Sequence, residues 1–251
     1  MKFIGIDFGW VSGASGLCCL YWQDNYLQIL DLTCQIEIAA ILTWIDSWIS
    51  PQEPALIAVD APTLIPNQTG MRLPDKLTHK YFGRYHAGCY PANLNRPFAQ
   101  RTVDFGLSLE RKGFVHAPTI TPQQPGRYQI EVFPHPATIN LFGLDRILKY
   151  KKGKIAQRQA ELKKLQQYIV NKLPKIIPSL SFSDSSSLPL IPASVTGSQL
   201  KGIEDCLDSL ICAYVAAYWW YWGKERNWVL GDATTGYIIV PAPQEPENMA
   251  Q

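Results

Sequence analysis

The sequence predicts one α/β domain built on a mixed five-stranded sheet, an antiparallel meander followed by parallel strands, flanked by helices and carrying inserted loops. Three observations lead there. The chain opens with three strand-length runs, an amphipathic helical pattern then leads into a short wholly apolar run, and a long apolar helix with acids near its start comes late. With 251 residues, 47% hydrophobic and 18% charged, the chain can bury a full core as a single domain over residues 1–240, leaving 241–251 as a frayed tail. A fibrous or disordered chain is excluded by the same figures.

Taken in order, Phe3 to Phe8 alternates as a strand does, with Phe3, Gly5 and Asp7 on one face and Ile4, Ile6 and Phe8 on the other. Two further runs, Leu17 to Trp22 and Tyr26 to Leu32, flank a tight Gln23-Asp24-Asn25 and read as a hairpin. Ile38, Ile41, Leu42, Ile45 and Ile49 recur at helical spacing until Pro51 stops them. The run Ala55 to Val59 is a buried strand reached by that helical crossover, and so is parallel to an earlier strand. Meander, helix and buried strand is the order in which ribonuclease H-like domains begin.

Residues 61–97 show little period and interleave Arg72, Lys76, Lys80 and Arg84 with aromatic residues, which reads as a long basic loop. A helix over 98–112, a strand over 128–133, a short helix over 137–142 and a basic helix over 155–173 follow. Residues 174–200 are rich in Ser and Pro and read as an insertion, after which 203–222 is a strongly apolar helix. Two short strands, 228–230 and 237–240, finish the chain.

The net charge of +2 announces no nucleic-acid partner by itself. The local asymmetry is sharper: ten basic residues lie between Arg146 and Lys175, with Glu161 the sole acid inside that stretch. Such a run either tracks a nucleic-acid backbone or is a solvated helix face. The six cysteines form no Cys-x-x-Cys pair and no ligand spacing, so a reducing cytoplasm fits them, and no apolar run approaches the roughly 20 residues that span a bilayer. The reading is of a cytoplasmic protein with no membrane segment.

Asp7 and Asp60 each end an apolar strand, and the carboxyl ends of parallel strands are where ligands bind. Either alone is equally well a turn former. Asp205 and Asp208 are three apart on the late helix and share a face; Glu204 and Asp205 also suit a helix's first turn, whereas Asp208 sits deeper, where an unpaired carboxylate is costly. Glu131, on an otherwise apolar strand, is either another site carboxylate or solvent-facing. Oxygen ligands converging in this way suit Mg²⁺ or Mn²⁺, and two such ions about 4 Å apart would activate water against a phosphodiester. Arg72 and Arg84 are candidates for holding substrate phosphates, with solvation or pairing to Asp75 as the alternative. His79, His86, His116 and His135 have no ligand spacing, and Trp219 to Trp222 reads as helix-end packing.

The set Gly5-Ile6-Asp7, Val59-Asp60-Ala61-Pro62, Gly70-Met71-Arg72, Glu131-Val132-Phe133-Pro134 and Asp205-Cys206-Leu207-Asp208-Ser209-Leu210 resembles domain-of-unknown-function family 429, predicted ribonuclease H-like nucleases. The resemblance spans nearly the whole chain; Ser209 stands where that family usually has Ala. The late Asp-x-x-Asp is also similar to that of Holliday-junction resolvases. The resemblance implies a nuclease acting on nucleic acid, with Asp7 and Asp208 as principal metal ligands, Asp60 beside them, and Glu131 and Asp205 completing or supporting the site. Two rival readings stand beside it. Asp7-Phe8-Gly9 resembles the first phosphate motif of actin-like sugar kinases, although those use two such domains, and a non-catalytic nucleic-acid-binding domain would keep the fold without the chemistry.

Overall fold

Asp24 and Asn25 both take left-handed backbone, φ 51° and 68°, which their short polar side chains tolerate and which a two-residue hairpin requires. This turn joins β2 (Ser15–Gln23) to β3 (Tyr26–Gln35), and β2 also pairs antiparallel with β1 (Lys2–Asp7). The computed structural model describes residues 1–182 and 188–244. After the meander, α1 (Ile38–Trp48) crosses over so that β4 (Ala55–Val59), buried throughout, lies parallel to β1. Beyond β4 come α2 (Leu73–Phe82), α3 (Ala99–Arg111), the two-residue β5 (Val115–His116) and β6 (Arg127–Glu131). β6 pairs parallel with both β4 and β5. The chain continues through α4 (Pro134–Phe142), α5 (Ile155–Lys172), β7 (Ser179–Ser181) and α6 (Gly197–Trp222). It closes with the hairpin β8 (Asn227–Asp232) and β9 (Gly236–Pro241).

The sheet order is β5-β6-β4-β1-β2-β3-β7, and β8 with β9 forms a separate two-stranded sheet. Seven strands therefore replace the expected five. The additions, β5 and β7, are two and three residues long at the sheet edges, too short to leave an alternating pattern. β7 pairs with β3, so part of the stretch expected as an insertion belongs to the sheet; residues 183–187 of that stretch lie outside the described residues. The expected tail likewise begins inside the fold, with Pro241 closing β9 and the Gln244 N–H donating to Asn140 O at 3.4 Å; residues 245–251 lie outside the described residues.

Residues 61–97 are not all loop, because α2 forms within them. Its first turn is set by Pro74 and by the Asp75 carboxylate, which accepts from the Arg72 backbone N–H and guanidinium, and it buries Pro74, Asp75, Thr78 and Phe82. A helix that buries polar residues leaves no apolar period to read.

Two cores fill the two faces of the sheet. Ile4, Ile6, Leu17 and Ile57 pack with α1 and α3 through Ile41, Ile45, Phe105 and Leu109. Phe3, Cys18, Leu56 and Ala58 pack on the other face with α6. Trp219 and Trp220 are buried there, their indole N–H groups donating to Ala117 O and Gln124 O, so the aromatic run is packing. No helix among the described residues is long and apolar enough to cross a membrane.

Candidate active site

Pairing register brings the carboxyl ends of β1, β4 and β6 level, with Ile6 opposite Val59 and Val59 opposite Glu131. Asp7 ends β1, and Asp60 follows β4 directly, its N–H donating to Ile6 O at 2.8 Å. Both carboxylates are buried, 8% and 9% exposed, at the floor of an open cleft of about 980 Å³.

α6 supplies the remaining acids because two glycines let its backbone touch the sheet. A Cβ on Gly5 would overlap the Ser209 carbonyl and the Ala213 amide, and one on Gly16 would overlap the Asp205 carbonyl. This contact lays Asp205 and Asp208 beside Asp7. The carboxyl groups of Asp7 and Asp205 approach within hydrogen-bonding range of each other, and Asp208 adds to the negative field at Asp7. The Ser209 hydroxyl donates to Cys206 O at 2.7 Å within the same helix, so Ser in place of Ala leaves no polar group unsatisfied.

Like charges 4 Å apart repel by about 4 kcal/mol at an effective dielectric of 20, so these acids do not all ionise freely. Burial, then Asp7, push Asp205 up to about 8; burial is also the main cause that raises Asp7, and it holds Asp60 well above the usual carboxylate range. Asp208, fully buried, accepts from the Tyr150 hydroxyl at 2.7 Å and has its other oxygen 2.7 Å from Lys151 Nζ. Lys201 pairs with Asp205 and with Glu204, and Arg158 reaches Glu204 at 3.3 Å. Asp7 Oδ2 is buried without a hydrogen-bond partner among the described residues.

Glu131 lines the same cleft and its charge acts on Asp60, but it lies one residue short of Asp7 and Asp60 in register and receives both arms of Arg72, at 2.7 and 2.8 Å. Two expectations, those for Arg72 and Arg84 as phosphate holders, need correction. Arg72 is 3% exposed and divides its fork between Glu131, Asp75 and Leu64 O, so it braces the cleft wall and has no donor left over for a phosphate. Arg84 is not brought to the cleft; it lies over the Tyr85 ring, bonded to that hydroxyl, in a separate hollow with Lys80 and Trp228. His135 lines the cleft between Phe133 and Tyr150, and burial holds it down at about 4, neutral at physiological pH.

Sequence reasoning missed Tyr150 and Lys151. They follow α4 in a stretch whose charges resemble a solvated run, and nothing local marks Lys151 as the one that turns inward. It also missed the cleft's aromatic wall, where Trp10 and Tyr90 each contact Phe98 and the Trp10 indole donates to Asp60 O at 2.9 Å.

The donor chemistry fits a hard divalent cation, since the carboxylates offer oxygens only and Asp7 Oδ2 is buried without a hydrogen-bond partner among the described residues. No three His, Cys, Asp or Glu side chains among the described residues are grouped so as to hold one.

An antiparallel meander is continued by parallel strands, and acids from β1, β4 and a late helix meet at the strand ends of this mixed α/β domain. The chain belongs to the family described as "Protein of unknown function (DUF429)", which it matches over residues 5–235. No curated protein matches it. Among solved structures it is similar to RuvC of Thermus thermophilus, at 12% identity and a TM-score of 0.33, over 86% of this chain and 98% of that one. At that score the likeness supports neither an activity nor a substrate.

Proposed function

We propose that the chain is a divalent-metal-dependent nuclease that hydrolyses phosphodiester bonds of nucleic acid. The observation that carries this reading is the gathering of Asp205 and Asp208 from α6 beside Asp7, which with Asp60 lines the cleft, with burial raising Asp7, Asp60 and Asp205 and one Asp7 oxygen left without a partner among the described residues. Such an arrangement is costly to fold and is found where chemistry needs it.

Asp7, Asp60 and Asp208 would hold Mg²⁺ or Mn²⁺, which when bound supplies an activated water and offsets charge on the leaving oxygen. The chain's own residues do the rest. The Tyr150 hydroxyl fixes the orientation of Asp208, and burial together with neighbouring Asp7 pushes Asp205 up to about 8. Neutral His135 adds no charge to the cleft wall. Trp10 and Tyr90, both packed on buried Phe98, would offer ring faces on which an unpaired base stacks, and Lys152 lies on the cleft lining within reach of a phosphate backbone. A cytoplasmic location accords with six free cysteines.

The lack of a metal-holding group among the described residues favours a second reading, a non-catalytic nucleic-acid-binding domain. One experiment separates the two: labelled single-stranded, duplex, hybrid and branched substrates are incubated with Mg²⁺ or Mn²⁺ and either wild type or Asp7→Asn. The nuclease reading requires metal-dependent cutting that the variant loses. Retention of labelled nucleic acid without cutting by either protein supports the second reading.

A further inference from the structure

Lys151 lies between α4 and α5 in a stretch without helix or strand, bounded by Gly143 and Gly153, both with positive φ. Its neighbour Tyr150 is fully buried and anchored on Asp208. Lys151 itself is held differently: its Nζ is 2.7 Å from Asp208 Oδ2, Asp7 and Asp60 also act on its charge, and its side chain keeps 30% of its exposure. The ammonium therefore neutralises the acids from inside, on a stem that reaches open cleft.

We propose that Lys151 is the resident counter-ion of the carboxylate cluster, that its ammonium occupies the position a divalent cation takes, and that metal binding expels it into the cleft. This rests on the metal-dependent reading above. An ammonium keeps carboxylate oxygens about 2.7–2.9 Å away, whereas Mg²⁺ draws them in to about 2.1 Å. A cluster arranged around an ammonium is accordingly not closed on a metal ion, in keeping with the lack of three such side chains grouped to hold one among the described residues. The exchange has a direct consequence. The metal must break the Lys151–Asp208 pair to enter, so the native chain binds it more weakly than its acid content allows. Once expelled, the ammonium lies in the cleft beside Lys152, where a substrate phosphate attracts it.

The test is calorimetric titration of Mn²⁺ into wild type and Lys151→Met, which keeps the stem and removes the charge. At least tenfold tighter binding by the variant is expected. Equal affinity overturns the counter-ion proposal and leaves the nuclease reading standing; no binding by either protein overturns both. Should the variant not fold, amine acylation of the wild-type chain by an N-hydroxysuccinimide ester, read by mass spectrometry with Lys152 as internal reference, gives the answer. Mn²⁺ should raise Lys151 labelling several-fold over that of Lys152, and an unchanged ratio overturns the proposal.

Discussion

Asp7 is held near Asp205 and Asp208 with one oxygen unpartnered, so its charge opposes folding while serving the site. Asp7→Asn removes that charge without changing size. It should abolish cutting yet raise the melting temperature by about 3 °C, equivalent to roughly 1 kcal/mol for a domain of this length, as read by thermal unfolding without metal. A fall in melting temperature would show that the carboxylate is better compensated than its surroundings indicate. Arg72 behaves in the opposite way. Arg72→Met strands Glu131 and Asp75 in a buried site, and removing one partner of a buried pair costs about 3–5 kcal/mol, so the variant should melt about 10 °C lower.

Among the elements, the contact of α6 with β1 and β2 carries the site. Gly5→Ala puts a methyl into helix backbone, which cannot rotate away, and should cost about 3 kcal/mol or more in urea unfolding. Ser209→Ala tests the same contact from the helix side. Its hydroxyl bonds only to its own helix, so the loss should stay within about 1 kcal/mol. Equal losses in both variants would mean that the side chains, and not the approach of the two backbones, set the position of Asp205 and Asp208.

For the whole molecule, the raised carboxyls set the pH dependence of stability. Burial lifts Asp205 from its ordinary value of 3.8 to about 8, so between those values the folded chain keeps a proton that the unfolded chain has released. Stability from this group is complete below about pH 4 and is lost as pH rises through 8; Asp7 and Asp60, also raised, act with the same sign. His135, lowered to about 4, has the reverse sign and contributes mainly below 6.5. Melting should therefore occur at a higher temperature at pH 6.5 than at 8.5, and Asp205→Asn should flatten the difference. A melting curve independent of pH in that window would show that Lys151 and Lys201 fully compensate the cluster.

Much of this is legible in the residues because periodicity reports local backbone state. Alternation reveals β1, and helical spacing followed by an apolar run reveals α1 and β4, so pattern alone puts Asp7 and Asp60 at strand ends. The spacing of Asp205 and Asp208 puts them on one helix face. Gly5 also carries a signal, since a glycine inside a strand pattern marks close backbone approach, whereas Gly16 precedes the run that reads as a strand. Other assignments depend on partners far along the chain. The 59 residues separating Arg72 from Glu131 carry no pattern that couples them, and Lys151 has the same local surroundings as the lysines that face solvent. The sequence by itself determined the sheet's beginnings and the acids at their ends. Which charge meets which was decided only by tertiary packing, because burial and distance, on which every ion pair in the cleft depends, do not exist until the chain has closed on itself.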